Sequence, residues 1–373
     1  MVSYTKSFRV WVVVAVSAVV SGTLGSRSAE AGLTITGVGK VTPQNMLTGL
    51  SGITYAGGNQ YYAVSDSGGL VSPLTISLDG TGAITSVTVG TTIPLNGAGA
   101  ADLEGIAYRA AGHGGAGSLY VSDENGPGIR EYSRDGSQHL SSVNVPTVYQ
   151  NHRGNLSLES LTISADGNVM WTANEEALTV DGLDAGPNRS TTVRLQKFLR
   201  AGDAWQAAGQ FAYETRPGLA TSVLPDRDAS GVSDLCVLPN GQLLVLERRL
   251  GGSGVPTFDN EIFLIDTALA TDVSGLAGLD GASYSSVTKT SLWSQNFGVW
   301  DNFEGLSLGQ QLSADTWSLL MVSDGDDPLL KSLYSLRLQG EAVPEPSSLA
   351  LMALGCGGLG FLALRKTKRK SRS

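Results

Sequence analysis

The chain has 373 residues, 41% of them hydrophobic, and 48 glycines, close to twice the usual ~7% share. Such a composition excludes disorder throughout and, with few long Lys/Glu-rich runs to sustain helices, favours an all-β protein with many tight turns. The net charge of −9 hides a contrast: residues 32–346 carry 16 basic and 33 acidic side chains, a net of −17 that repels phosphate backbones, excludes nucleic acid as a natural partner and favours cations.

At the N-terminus, Lys6 and Arg9 precede an apolar stretch from Val10 to Val20. It is too short to span a bilayer but suits the apolar region of a secretory signal, and Ala29-Glu30-Ala31 follows as a small-x-small cleavage site. Residues 1–31 are therefore expected to be a signal peptide removed by signal peptidase, with an uncleaved anchor as the alternative.

The body contains a repeat. A segment with an acid or Ser, a small residue and an aliphatic is followed by a second apolar run that ends in an acid. The first copies are Ser51-Gly52-Ile53 with Tyr62-Ala63-Val64-Ser65-Asp66, and Glu104-Gly105-Ile106 with Tyr120-Val121-Ser122-Asp123-Glu124. Glu159-Ser160-Leu161 with Trp171-Thr172-Ala173-Asn174-Glu175 and Ser233-Asp234-Leu235 with Leu244-Val245-Leu246-Glu247 continue the series. Glu304-Gly305-Leu306 with Leu320-Met321-Val322-Ser323-Asp324 ends it.

Third strands are expected at Leu74 to Leu78, Gly128 to Ser133, Thr191 to Phe198, Asn260 to Ile265 and Leu333 to Leu338, and some fourth strands at Ile84 to Val89 and Leu140 to Val145. Asp79-Gly80, Asp135-Gly136, Asp166-Gly167 and Asn240-Gly241 are turn dipeptides between them. The spacing exceeds the ~40–50 residues of common four-stranded propeller blades, and loop insertions explain the excess. The expected fold is a β-propeller of five to six four-stranded blades, six if Leu269 to Trp300 holds a degenerate one. Pairing of Leu33-Thr34-Ile35-Thr36 with Leu333 to Leu338 would close the ring and remove its exposed edge. This gives one domain over residues 32–342.

Residues 343–373 contain Val343-Pro344-Glu345-Pro346, an apolar stretch from Leu349 to Leu364 and a basic run ending in Arg372. An apolar segment with a basic flank is a stop-transfer pattern. The three ordered features resemble a PEP-CTERM sorting signal of Gram-negative bacteria. That resemblance implies removal of the tail by an exosortase, transient anchoring in the inner membrane, and a final place in the cell envelope or on the extracellular surface. Cys356 falls in this tail and Cys236 in an apolar strand, so the mature body holds a single thiol, read as a small buried hydrophobe.

In a propeller the first strand of each blade is innermost, so Glu104, Glu159, Asp234 and Glu304 begin near the channel mouth. The antiparallel neighbours end beside them in Asp66, Asp123, Glu175, Glu247 and Asp324, and the acids are expected to gather on one face. Such a ring of carboxylates suits a hard cation such as Ca²⁺, for which Glu104, Asp123, Glu175, Asp234 and Asp324 are the candidate ligands. Holding turns through backbone N–H groups is the competing use of acids at strand ends.

Asn155 to Thr162 with Asp166-Gly167 and Glu175-Glu176, Asp226 to Asp234 with Leu246-Glu247-Arg248, and Trp300 to Leu306 with Val322-Ser323-Asp324 resemble the phytase-like family, also called "esterase-like activity of phytase", over roughly residues 45–340. The resemblance implies a propeller, by analogy with six-bladed calcium-dependent phytases, and hydrolysis of phosphoesters or esters. On that analogy Glu159, Glu247 and Glu304 are candidate catalytic carboxylates, with Arg248 and Arg153 as phosphate holders. A body with few basic residues is a poor match for phytate itself.

Three weaker signals remain. Gly305-Leu306-Ser307-Leu308-Gly309 spells the G-x-S-x-G elbow but falls on an inner strand. Asp226, Asp228, Ser230 and Gly231 open like an EF-hand loop, with Val237 where a bidentate Glu is required. Of His113, His139 and His152, only His152 lies near an acid of the repeat. Two function classes follow: an exported Ca²⁺-dependent phosphoesterase or esterase acting on a small substrate, or a non-catalytic surface propeller that binds an envelope glycan, a protein or a cation.

Overall fold

The computed structural model describes residues 32–110, 117–219, 230–251, 257–297, 301–325 and 331–340. The expected signal peptide and sorting tail, and Asp226, Asp228 and His113, lie outside the described residues. The first strand, β1, spans Thr34–Val41.

Blade one consists of β2 (Leu50–Gly57), β3 (Gln60–Ser65), β4 (Leu70–Leu78) and β5 (Ile84–Val89), with the short β6 (Ile93–Pro94) beside β4. Blade two follows as β7 (Leu103–Arg109), β8 (Ser118–Asp123), β9 (Gly128–Ser133) and β10 (His139–Val143). Blade three comprises β11 (Thr162–Ile163), β12 (Val169–Ala173), β13 (Thr192–Ala201) and β14 (Ala204–Glu214). Blade four is built from β15 (Ser230–Val237), β16 (Leu243–Gly251), β17 (Thr257–Asp266) and β18 (Thr288–Asn296). Blade five takes β19 (Asn302–Ser313), β20 (Thr316–Asp324), β21 (Leu333–Gln339) and, as its outer strand, β1.

The described residues thus form a five-bladed propeller of antiparallel four-stranded sheets. Among the described residues, 269–297 supplies β18 to blade four and no sixth blade. β1 pairs antiparallel with β21 from Thr34↔Gln339 to Val41↔Leu333, so the chain's first described strand closes its last blade.

Strand alternation puts apolar side chains on both faces of each blade, and they meet between blades. One cluster fills each of the five interfaces: Val64, Leu103 and Val121 between blades one and two, and Cys236, Leu246, Phe303 and Met321 between four and five, are typical. Each fully buried aliphatic side chain contributes about 1.5–3 kcal/mol. The long connection before β18 folds over blade three, where Val273 and Leu279 pack on Ala212. There the buried Arg194 pairs with Asp181 at 2.7 Å and donates to the carbonyl of Leu276 at 3.2 Å.

At the axis the five inner strands come so close that the second residue of each repeat must be small or bound. A Cβ on Gly105 would lie 2.3 Å from Leu161 N, one on Gly52 would lie 2.5 Å from Glu104 O, and one on Gly305 would lie 2.9 Å from Gly52 Cα. Ser160 and Asp234 hold the matching places in blades three and four. Asp234 is fully enclosed and uses the contact, its carboxylate accepting from Leu235 N at 2.8 Å and from Leu306 N at 2.7 Å.

Gly105→Ala should therefore destabilise the protein by about 1–3 kcal/mol, because backbone rather than a movable side chain stands in the way. Gly99→Ala, where nothing lies within 4 Å of the added atom, should stay within about 0.5 kcal/mol of wild type in urea unfolding. Equal midpoints for the two variants would contradict a tightly closed axis.

Candidate functional site

The mouth of the ring owes its chemistry to slips in strand register. The inner strand shifts against its neighbour between Leu50 and Gly52, Leu103 and Ile106, Val232 and Asp234, and Phe303 and Gly305. The residues skipped include Ser51, Glu104, Ser233 and Glu304, the first residues of the repeat. A bulge re-aims the side chain it carries. In blade three the ladder begins only at Thr162, and Leu158↔Asn174 is an isolated bridge, so Glu159 also stands in irregular backbone.

Glu104, Glu159 and Glu304 thereby come within electrostatic reach of one another. Asp102, Glu124 and Glu175 join them. Carboxylate oxygens of Asp102, Glu104 and Glu124 lie within 4.8 Å of one another, as do those of Glu124, Glu159 and Glu175. Glu124 is pinned between blades: its N–H donates to Asp102 O at 2.9 Å, and its Oε1 accepts from Ser157 N at 2.9 Å. Arg248 brings a positive charge, donating to Glu304 Oε1 at 3.0 Å, to Asn302 Oδ1 at 3.1 Å and to Glu175. Asn302 Nδ2 in turn donates to Glu304 at 2.7 Å.

Burial and mutual repulsion favour the neutral forms of Glu104, Glu124, Glu159 and Glu304. Enclosure, then Ser157 N–H working the other way, then Glu175, leaves Glu124 pushed up to about 8. Burial likewise raises Glu304 to about 8 even though Arg248 opposes the shift. Burial first, then Glu304, Glu124 and Asp102, raises Glu104 well above the usual carboxylate range, and burial, then Glu104, Glu175 and Glu124, does the same to Glu159. Glu159 is 7% exposed, and among the described residues its Oε2 is buried with no hydrogen-bond partner.

Of the acids singled out from the sequence, the structure therefore gathers Glu104, Glu159, Glu175 and Glu304, with Asp324 at the edge, 3.4 Å from Asn302 Nδ2. Asp123 instead pairs with Arg130 at 2.5 Å. Asp234 sits below the mouth on the backbone N–H groups already described. Glu247 lies elsewhere: it is fully buried between blades three and four, bonded to Tyr213, to Arg216 at 2.9 Å and to Lys289 at 2.7 Å. Neighbours on a strand face opposite ways, so β16 cannot send both Glu247 and Arg248 to the mouth, and Arg248 is the one that goes.

Arg153 donates to the carbonyls of Ala177 at 2.9 Å and Gly182 at 2.6 Å, a loop brace. His152 makes its contact to Gly154 O at 2.8 Å and His139 to Ser142, so neither meets Ser307. Ser307 donates to Leu308 O at 3.1 Å on inner strand β19, with no strand-to-helix turn. Burial pushes the Cys236 thiol up to about 12, and its sulfur accepts from Leu308 N.

Asp102 and Glu124 are the site residues that sequence reasoning missed. The available signal was the doubling of acids, Asp123-Glu124 and Glu175-Glu176, where one of each pair must face the mouth whatever the register.

Residues 45–327 match the family described as phytase-like, esterase-like activity of phytase, and residues 342–370 match the PEP-CTERM protein-sorting motif, which marks the chain for export and implies processing by an exosortase. An uncharacterized secreted protein of Arthroderma benhamiae is 28% identical over 199 residues, 43% of this chain and 37% of that protein, so the chain spans little more than a third of that relative's length. Among solved structures, a streptogramin B lyase is similar at 10% identity and TM-score 0.33, over 82% of this chain and 98% of that one. The PQQ-bound aldose sugar dehydrogenase of Streptomyces coelicolor is similar at 12% identity and TM-score 0.40, over 84% and 100%. With most of the propeller matched, the chain belongs to the phytase-like family.

Proposed function

We propose that the protein is an exported Ca²⁺-dependent hydrolase of small phosphoesters or carboxylic esters at the cell envelope. The observation that supports it is the buried, unpartnered oxygen of Glu159 inside a cluster of carboxylates. The two groups of oxygens hold only hard donors, with no His or Cys among them, which suits Ca²⁺ and not zinc. Bound there, Ca²⁺ would neutralise an ester oxygen and acidify an attacking water.

The chain's own residues would divide the remaining work. Glu124, Glu159 and Glu175 hold the cation, and Glu159 is placed to take a proton from water as well. Arg248, steadied by Glu175, Glu304 and Asn302, would orient an anionic oxygen of the substrate. Arg130 is engaged with Asp123 and Lys40 with Asp301, so a substrate bearing one anionic group fits this mouth better than a polyphosphate.

Hydrolysis of a panel of phosphomonoesters and carboxylic esters should require Ca²⁺ and stop in EDTA. Glu159→Gln should lower turnover by about a hundredfold or more, while Ser307→Ala should change it by less than about twofold. Loss of activity in Ser307→Ala with Glu159→Gln intact would reinstate a serine esterase; Ca²⁺ binding without turnover on any ester would favour a non-catalytic envelope propeller.

The raised acids also set a pH dependence. A carboxylic acid with a pKa of about 8 in the folded state and 4.5 ordinarily contributes stability fully below 4.5, and loses it as pH rises through 8. In EDTA the melting temperature should therefore fall from about pH 5 to about pH 8.5, and millimolar Ca²⁺ should remove much of the fall. A melting temperature that climbs over this range in EDTA would count against the cluster.

We also propose the order signal peptide 1–31, propeller 32–342 and sorting signal 343–373, with the tail first held in the inner membrane of a Gram-negative cell. Mass spectrometry of protein from its native host should show a start near Gly32 and loss of the chain after Pro346. An intact tail on the exported protein would refute processing.

A further inference from the structure

We propose that the face of the propeller opposite the mouth is the one turned to the bilayer, so that the anchored protein holds its mouth out toward the water. The inference goes beyond the hydrolase reading and rests on the proposed order of the two terminal signals. Strand direction carries it. The inner strands run from the mouth, where Glu104 and Glu304 stand, to the opposite face, the base, where Arg109 and Gln311 line the cavity. β20 returns, with Thr316 opposite Ser313 at the base and Asp324 opposite Asn302 at the mouth. β21 then runs toward the base again, from Leu333 beside Val322 to Gln339 beside Thr316. The chain therefore leaves its last strand at the base, where Gly340 N donates to Asp315 O at 3.1 Å in the turn between β19 and β20.

The other end of the body arrives independently at the same place. β1 is antiparallel to β21, with Thr34 opposite Gln339 and Val41 opposite Leu333. Lys40 pairs with Asp301 at 2.6 Å and ties the far end of β1 to the mouth side. Leu33 is so close to Gly340 that a Cβ on the glycine would lie 2.5 Å from Leu33 Cδ2. The two apolar terminal stretches, 10–20 and 349–364, are hence attached to one edge of one face. Both can be held by one bilayer while the ring is closed, and the β1–β21 ladder keeps the two ends together once the first signal is cut.

Reach sets the orientation. Leu349 follows Gly340 by nine residues, which extend at most about 30 Å. The seven residues of β21 alone span roughly 23 Å between mouth and base. To lay the mouth on the membrane, most of that reach would have to run up the side of blade five along β1, whereas none of it is spent with the base down. The mouth then opens to the aqueous side, and the esters it meets are water-borne rather than head groups of the bilayer that holds it.

Energy transfer from the full chain to a lipid-linked acceptor tests this, with the tail seated in vesicles of phosphatidylethanolamine and phosphatidylglycerol. In a Cys356→Ser background an added cysteine takes the donor dye, because Cys236 is buried and its thiol is pushed up to about 12. Asn59→Cys and Asp203→Cys put the dye on hairpins of the base, and Ser67→Cys puts it just past the mouth end of β3. Transfer should be about twofold or more stronger from the two base positions, since β3 separates Asn59 from Ser67 by roughly 20 Å. Hydrogen exchange of the unsubstituted chain, compared between vesicles and detergent, should slow in turns 57–60 and 201–204 and not in 66–69, a readout that needs no variant to fold. Equal or stronger transfer from Ser67, with protection at 66–69, overturns the orientation and leaves the sorting-tail reading intact. A chain that does not float with the vesicles brings down both.

Discussion

Closure of the axis is the constraint from which the rest of this propeller follows. With only five blades, the inner strands meet backbone to backbone, and Gly52, Gly105 and Gly305 are where they touch. No side chain fits at those three positions. The residue just before each small one is displaced onto a bulge and turned out of the packed layer toward the mouth, which is how Glu104 and Glu304 come to face one another across the ring. Asp234 shows the same constraint met differently, since a carboxylate that accepts two inner-strand N–H groups is itself a filler of the axis.

A cluster of buried acids is not what stability alone would select. Removing a carboxylate from water and placing others beside it favours the neutral form, and each group so treated opposes folding at the pH where it must ionise. The surrounding propeller can bear this because its stability resides elsewhere, in five apolar interfaces that the mouth does not interrupt. Acids away from the mouth look different. Glu247 is surrounded by Tyr213, Arg216 and Lys289, and Asp166 accepts from Ser164 and Asn168 in its turn. The contrast is sharpest at Glu159, whose Oε2 meets no donor among the described residues.

Much of the architecture was legible because it rests on local periodicity. The recurring triplets mark inner strands, Gly128 to Ser133 and Ile84 to Val89 coincide with β9 and β5, and Asp135-Gly136, Asp166-Gly167 and Asn240-Gly241 place positive φ at their glycines. At Asp79-Gly80 the positive φ falls on Gly82, because Asp79 accepts from both Thr81 N and Ala83 N and lengthens the turn. The site was less legible. Which of Asp123 and Glu124, or of Glu247 and Arg248, faces the mouth depends on register, and a slip of one residue reverses the answer. The spelled-out triplet of blade three likewise hides that only Thr162–Ile163 joins its ladder.

The closed axis also separates two chemistries that the sequence runs together. Glu304 and Ser307 are three residues apart on β19, yet they lie on opposite sides of the level where Gly305 meets Gly52. Beyond that level the later residues of the inner strands line a cavity of about 510 Å³, where Thr54, Thr162, Cys236 and Ser307 stand with Arg109, Asp166 and Gln311. Their polar atoms are committed to the framework: Thr54 accepts from Tyr108 N, Thr162 from Val237 N and Cys236 from Leu308 N. An elbow motif spelled across such a barrier has its hydroxyl in a hollow with none of the acids of the mouth. It is the bulge before Gly305, rather than the serine after it, that puts a side chain of β19, the Glu304 carboxyl, where charged partners can reach it.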